Sequence, residues 1–170
     1  MAKNIKKTNV LRLLEQAHIS CTAYEYSTSD GKTDAVSVAN KLGISPEIVY
    51  KTLVTVSDTH EHFVFVIPAA STLDLKASAR IAGVKWVEMI PQAKLLPLTG
   101  YVHGGCSPIG MKKAFPTFID SSAEKLPLFF VSAGKVGMNL SVAPNDLANL
   151  IHASFADISS HQKLAPNQKE

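Results

Sequence analysis

Cysteine is scarce in this 170-residue chain: Cys21 and Cys106 are the only two, far apart and without a CxxC pair. That excludes a disulfide framework and the common zinc spacings. Arginine is as scarce. Arg12 and Arg80 stand alone among 17 Lys plus Arg, whereas a protein that reads DNA bases would carry more of the bidentate guanidinium. Aromatic residues make up 7%, and no RNP-like or RGG segment occurs, so base-by-base RNA reading by stacking is not indicated. No apolar run reaches the roughly 18 residues needed to cross a bilayer. The basic start "MAKNIKKTNVLRLLEQAH" is interrupted by Arg12, Glu15 and Gln16 and lacks a signal-peptide core. No membrane partner is expected, and the expected location is cytoplasmic.

What the chain does contain is a globular composition, with 46% hydrophobic and 18% charged residues. Its length suits one domain with a core of ordinary size. The net charge of +3 permits a phosphate-bearing partner without demanding one. No linker or repeat divides the sequence, so residues 1–158 are expected to form one domain, followed by a polar, mobile tail over 159–170.

Helical spacing in "NVLRLLEQAHI" predicts an amphipathic first helix, and "CTAYEY" a short strand. Asp34 is the expected N-cap of a helix over "AVSVANKLG" that Gly43 ends. "SPE" carries a second helix-start signal, Ser45 with Pro46. "YKTLVTV" and "HFVFVIP" read as a hairpin around the polar loop "SDTHE". "STLDLKASARIAG" predicts a helix starting near Ser71 or Thr72. "VKWVEM" predicts a strand, and "IPQAKLL" a short helix begun by Pro91. "GYVHGGCSPIG" is too rich in Gly and Pro to be anything but loop. Strands follow at "PTFID", "LFFVSA" and "MNLSVA", with "GKVG" as a turn, and "PNDLANLIH" is the last helix. Short turns between strands argue for a mixed α/β (α+β) domain with a curved, mostly antiparallel sheet and flanking helices, not a doubly wound parallel sheet.

Lys51 stands out, because "IVYKTLV" places an ammonium inside an apolar strand. It either guards a sheet edge or anchors a phosphate or carbonyl oxygen in a pocket. In "GGCSPIG", Gly104 and Gly105 allow close approach of a ligand, and Ser107 with the amides can hydrogen-bond an anion; an ordinary tight turn is the alternative. Cys106 with His103 three residues before it suggests a nucleophile and base, although sequence adjacency is weak support. "VSAGKVG" is not a phosphate loop, since Phe129 stands where the first Gly is needed and Val136 follows Lys135; a hairpin turn is expected, with Ser132 at a strand end. Asp74 and Asp120 have no acidic partner nearby, so paired acid–base chemistry is unsupported. The six His show no metal spacing, and His60 and His62 read as solvated.

Taken in order, "VYKTLV", "LDLKASARIAG", "GYVHGGCSPIGMKK", "PTFID" and "FVSAGKVGMNLSVAPNDL" resemble the YbaK family. These are free-standing Cys-tRNA(Pro) deacylases related to the editing insertion domain of bacterial prolyl-tRNA synthetases. The resemblance spans about residues 8–158. It implies a compact mixed α/β domain that removes cysteine from Cys-tRNA(Pro), and also acts on Cys-tRNA(Cys), with no metal and no cofactor. It implies Lys51 as the residue most closely tied to activity, with Thr52, Tyr26, Gly104 and Ser132 around the same pocket. Ala133 and Asn139 depart from the family, which often has Gly at the first position and can have an acid at the second. The implied chemistry is attack of the substrate's own thiol on its carbonyl carbon. The implied partners are aminoacyl-tRNA, tRNA(Pro) or tRNA(Cys), and prolyl-tRNA synthetase. An Ala-tRNA(Pro) hydrolase that uses water, and a noncatalytic tRNA- or synthetase-binding module, are the competing readings. Lys112, Lys113 and Lys135 either attract the tRNA backbone or form a solvated face.

Overall fold

A computed structural model describes residues 6–160. The first five residues of the basic N-terminal stretch, and residues 161–170 of the tail expected over 159–170, lie outside the described residues; Ser159 and Ser160, also expected in that tail, pair instead with Leu73 and Thr72.

Helix α1 (Asn9–Gln16) begins at Thr8, whose hydroxyl accepts from Leu11 N. It buries Val10, Leu11 and Leu14, the positions its apolar spacing singles out. Strand β1 (Cys21–Glu25) follows. Helix α2 (Ala35–Leu42) starts at Asp34, whose carboxylate accepts from Ser37 N and Ser37 Oγ, and stops at Gly43 in the left-handed region.

Residues 45–48 make only a turn, with Ile48 N donating to Ser45 O and Glu47 N to Ser45 Oγ. The helix expected at "SPE" is therefore absent. Ile48 O is engaged by Phe130 N, which pulls the chain into a strand instead.

Strands β2 (Tyr50–Ser57) and β3 (His62–Pro68) form the expected hairpin. The start at Ser71 or Thr72 expected for the next helix is also displaced. Thr72–Leu73 form strand β4, and α3 (Leu75–Ala82) begins at Asp74, whose carboxylate accepts from Ala77 N. Strand β5 (Val87–Met89), a 3-10 turn (Gln92–Lys94) and the short helix α4 (Leu95–Thr99) come next. Strand β6 (Thr117–Asp120) precedes a second 3-10 turn (Ser121–Lys125). Strands β7 (Phe129–Lys135) and β8 (Met138–Val142) then pair tightly, so "GK" belongs to a strand and only Val136–Gly137 turn. Helix α5 (Pro144–Ile151) carries its proline in the first turn, where a missing N–H costs nothing. Two short strands, β9 (Ser154–Ala156) and β10 (Ser159–Ser160), finish the described chain.

The strands assemble as an antiparallel sheet in the order β1-β8-β7, a five-stranded mixed sheet in the order β5-β2-β3-β6-β9, and the small pair β10-β4. Most pairings are antiparallel, while β3 with β6 and β6 with β9 are parallel. A bridge between Val49 and Phe130 ties the two larger sheets together. The main core lies between them and α1 and α5, around Leu14, Phe129, Leu140 and Leu147. A second core packs α3 on the other face of the mixed sheet, around Phe65 and Ile67. Buried Asp120 fastens the segment at Ile158 and Ser159, since Oδ1 accepts from Ile158 N and Ser159 N while Oδ2 accepts from Ser122 N and Oγ. No helix among the described residues is long and apolar enough to cross a membrane.

Candidate functional site

Strand β2 is only half covered along one edge. Strand β5 pairs with Thr55, Val56 and Ser57, and Ile90 N reaches Val54 O. Among the described residues, 50–53 have no strand on that side. The gap is a cavity of about 470 Å³. Its walls are β2 from Val49 to Val54, the start of α2 with Thr33 and Asp34, the β5–α4 segment with Met89, Gln92 and Leu95, and the loop at His103, Gly104 and Cys106. Tyr26, Ser132 and Asn139 close the side formed by the antiparallel sheet. Because the edge is open, side chains from both faces of β2 reach the cavity, Lys51 and Leu53 from one and Thr52 and Val54 from the other.

Lys51 is half-buried there. Burial lowers its pKa from the usual 10.5, and the Asp34 carboxylate partly offsets this. Among the described residues it makes no ion pair; Lys7–Glu15 and Lys41–Asp30 are the pairs present. Asp34 itself stays ionised, its pKa lowered by the bonds from the Ser37 hydroxyl and amide. Among the described residues it is the one carboxylate lining the cavity. Sequence reading identified Asp34 only as a helix cap, and its second placement arises because α2 starts opposite the open edge of β2.

Two buried acceptors lining this space have no partner among the described residues: Thr52 Oγ1 and Asn139 Oδ1. Asn139 sits on the central strand of its sheet, opposite Ser132 on β7 and Tyr24 on β1, and is only 5% exposed. A buried polar atom left unpaired in a cavity marks a place where a ligand group can supply the missing bond. Ser132 Oγ accepts from Gly134 N within the β7 bulge. Tyr26 is held at the cavity mouth by Lys41, whose Nζ lies 5.8 Å from the ring centroid and also binds Ser27 O, Lys32 O and Asp30.

Of the residues singled out from sequence, Lys51, Tyr26, Thr52, Gly104, Ser132 and Asn139 come together in the cavity. Gly105 and Ser107 do not line it. Gly105 packs on the β7–β8 turn, and Ser107 is fully buried, its Oγ accepting from Ile109 N. Gly104 needs its glycine twice over. Its φ is +87°, and a Cβ would fall 2.8 Å from Thr33 Oγ1.

Cys106 and His103 both line the cavity, but burial pushes the Cys106 thiol up to about 12. A thiol so protonated at neutral pH is a poor nucleophile. Asp74 caps α3 and Asp120 holds the segment at Ile158 and Ser159, and both lie outside the cavity lining. No group of three or more His, Cys, Asp or Glu suited to a metal occurs among the described residues. His62 is partly buried against Phe115, with its pKa lowered by burial and by Lys113 and Lys94.

Residues 30–150 match the family model of the aminoacyl-tRNA editing domain. The chain is 42% identical, over 160 residues, to an Enterococcus faecalis protein named provisionally as the Cys-tRNA(Pro)/Cys-tRNA(Cys) deacylase EbsC; the match covers 94% of this chain and 98% of that one. Among solved structures, one described provisionally as a trans-editing enzyme for prolyl tRNA synthetase superposes with a TM-score of 0.77 at 22% identity. It covers 91% of this chain and 99% of its own. A protein described only as hypothetical superposes with a TM-score of 0.81 at 20% identity, covering 89% and 99%. These two likenesses establish the fold.

Proposed function

Since the chain belongs to the aminoacyl-tRNA editing family, we propose that it is a trans-editing deacylase that removes cysteine from Cys-tRNA(Pro), and from Cys-tRNA(Cys), by thiol-assisted cleavage. The carrying observation is that, among the described residues, half-buried Lys51 makes no ion pair and faces a cavity wall that offers hydrogen bonds but no activated nucleophile.

The substrate is an ester of the terminal ribose and is already activated. Its own sulfur attacks the carbonyl carbon, the bond from that carbon to the ribose oxygen breaks, and the thiol proton ends on the ribose hydroxyl. Cysteine leaves as a thiolactone. The enzyme's contribution is to hold thiol and carbonyl in reacting geometry, which is worth about 7 kcal/mol or more in favourable cases. Lys51 stabilises the negative charge that develops on the carbonyl and ribose oxygens. The Gly104 turn positions the carbonyl. Thr52 Oγ1 and Asn139 Oδ1 receive donors from the ribose hydroxyl or the α-ammonium, which fits their lack of partners. Tyr26 stacks near the terminal adenine.

Prolyl-tRNA synthetase is the proposed companion that delivers the substrate, and the cytoplasm the proposed location. The test is deacylation of a panel: Cys-tRNA(Pro), Cys-tRNA(Cys), S-methylcysteinyl-tRNA, Ser-tRNA and Ala-tRNA. Cleavage confined to the free-thiol substrates is expected. Rapid loss of Ser or Ala would overturn the thiol-assisted reading in favour of water. Retained tRNA binding without turnover of any substrate would make the protein a binding module.

A further inference from the structure

The same geometry gives Lys51 a second chemical fate. A thiolactone is an acylating agent, and it would be born beside every nucleophile that lines the cavity. Those nucleophiles differ sharply. The Cys106 thiol is kept protonated by burial, with its pKa pushed up to about 12. Ser132, Thr52 and Thr33 are unactivated alcohols, with no base hydrogen-bonded to them among the described contacts; the Tyr50 phenol is kept protonated by burial and engaged by Ser122, and an acyl group on Tyr26 would be a phenyl ester that water cleaves readily. An acyl group on the His103 imidazole would return to water. Lys51 is the remaining amine. It lies on the open edge of β2 inside the cavity, with no carboxylate within ion-pair distance among the described residues. Lys7 and Lys41, in contrast, are tied to Glu15 and Asp30 at 2.7 and 2.8 Å.

We propose that Lys51 is a self-acylation site for amino-acid thiolactones, at which the ε-amine captures a thiolactone held in the cavity and becomes an Nε-aminoacyl lysine. The role of cavity-born thiolactone as the source rests on the thiol-assisted reading above.

The step balances without a co-reactant. The neutral Nζ attacks the ring carbonyl carbon and a C–N bond forms. The ring C–S bond breaks, its electron pair leaves on sulfur, and the proton shed by nitrogen ends there as a thiol. The adduct is an amide with a free thiol and a free α-amine. Burial, which lowers the Lys51 pKa, enlarges the fraction of neutral amine available for attack. The amide removes the charge from Lys51 and fills the cavity, so the modified protein is inactive.

The test uses the full chain and homocysteine thiolactone, a stable thiolactone, as the probe. Peptide mass mapping after a short exposure should find Lys51 acylated several-fold faster than the exposed Lys76 and Lys125. Deacylase activity should fall in step, and alkylation should detect one new thiol per Lys51 adduct. Labelling of Lys51 no faster than Lys76 overturns the proposal. A parallel arm follows Cys-tRNA and S-methylcysteinyl-tRNA. S-methylcysteinyl-tRNA cleaved as fast as Cys-tRNA overturns the thiol-assisted reading alone, because direct labelling by the probe does not depend on it. Cys-only cleavage with no Lys51 labelling overturns the acylation site alone.

Discussion

The α-carbon of Gly105 rests against the backbone of Val136: a Cβ there would lie 2.8 Å from Val136 N and 3.0 Å from Lys135 C. The glycine-rich loop thus lies directly on the β7–β8 turn, and neither backbone can yield cheaply. Gly104, the next residue back, is fixed in the cavity wall by that contact.

Gly105→Ala is therefore expected to lift the loop away from the turn. Overpacking of this kind costs about 1–3 kcal/mol. Chemical denaturation should show the loss of stability. The kcat/KM for Cys-tRNA should fall as well, because Gly104 moves with the loop. Wild-type values of both would show that the loop accommodates the methyl group and that the close approach is dispensable.

Lys51→Met should separate stability from activity. The folded-state pKa of Lys51 lies below its unfolded value, because burial disfavours the ammonium. Well below the folded pKa the group is charged in both states, and the burial penalty is fully present. As pH rises toward the ordinary 10.5, the folded form loses its proton first and the penalty fades. The methionine variant removes that penalty at every pH. A small rise in Tm at neutral pH is expected, together with a loss of about 100-fold or more in deacylation, the scale for removing a charge-stabilising donor. Wild-type activity should also decline as alkaline pH discharges Lys51. A methionine variant that remains active would end the charge-stabilising role.

Thr52→Val deletes a buried hydroxyl oxygen that has no partner among the described residues. An unsatisfied polar atom contributes nothing to folding, so stability should stay level or rise by up to about 1 kcal/mol. Activity should drop by about tenfold if that oxygen meets the substrate, which is the weight of one hydrogen bond. The informative result is the combination. Equal activity in both proteins would leave Thr52 outside the substrate contacts.

Cys106→Ala should keep most of the kcat/KM. The thiol is held protonated by burial, with a pKa of about 12, so it offers no thiolate at working pH. Disulfide-reagent titration of the native wild-type protein at pH 8 should label Cys106 slowly and only gain speed at much higher pH. Fast labelling, or a variant without activity, would restore Cys106 as a nucleophile.

Local signals in the sequence determined much of this molecule. Asp34 and Gly43 mark helix ends through bonds made within a few residues, Pro144 does so through its fixed φ in the first turn, and the alternation of "YKTLVTV" and "HFVFVIP" sets a hairpin. Lys51 announced itself because an ammonium inside an apolar strand demands a reason. Other features rested on contacts between distant segments. "SPE" carries the residues of a helix start, but Phe130 claims the Ile48 carbonyl. Thr72 and Leu73 become a strand because Ser159 and Ser160 arrive beside them. Alternation tells which residues share a face of β2, but not that β5 stops short and leaves residues 50–53 open to a cavity. That open edge is what brings Asp34, Cys106, Thr52 and Asn139 around Lys51, while Ser107, three residues past Gly104, turns into the core. Short-range hydrogen bonding and periodicity are written in neighbouring residues. The meeting of a strand edge with three remote segments is decided only when the whole chain packs.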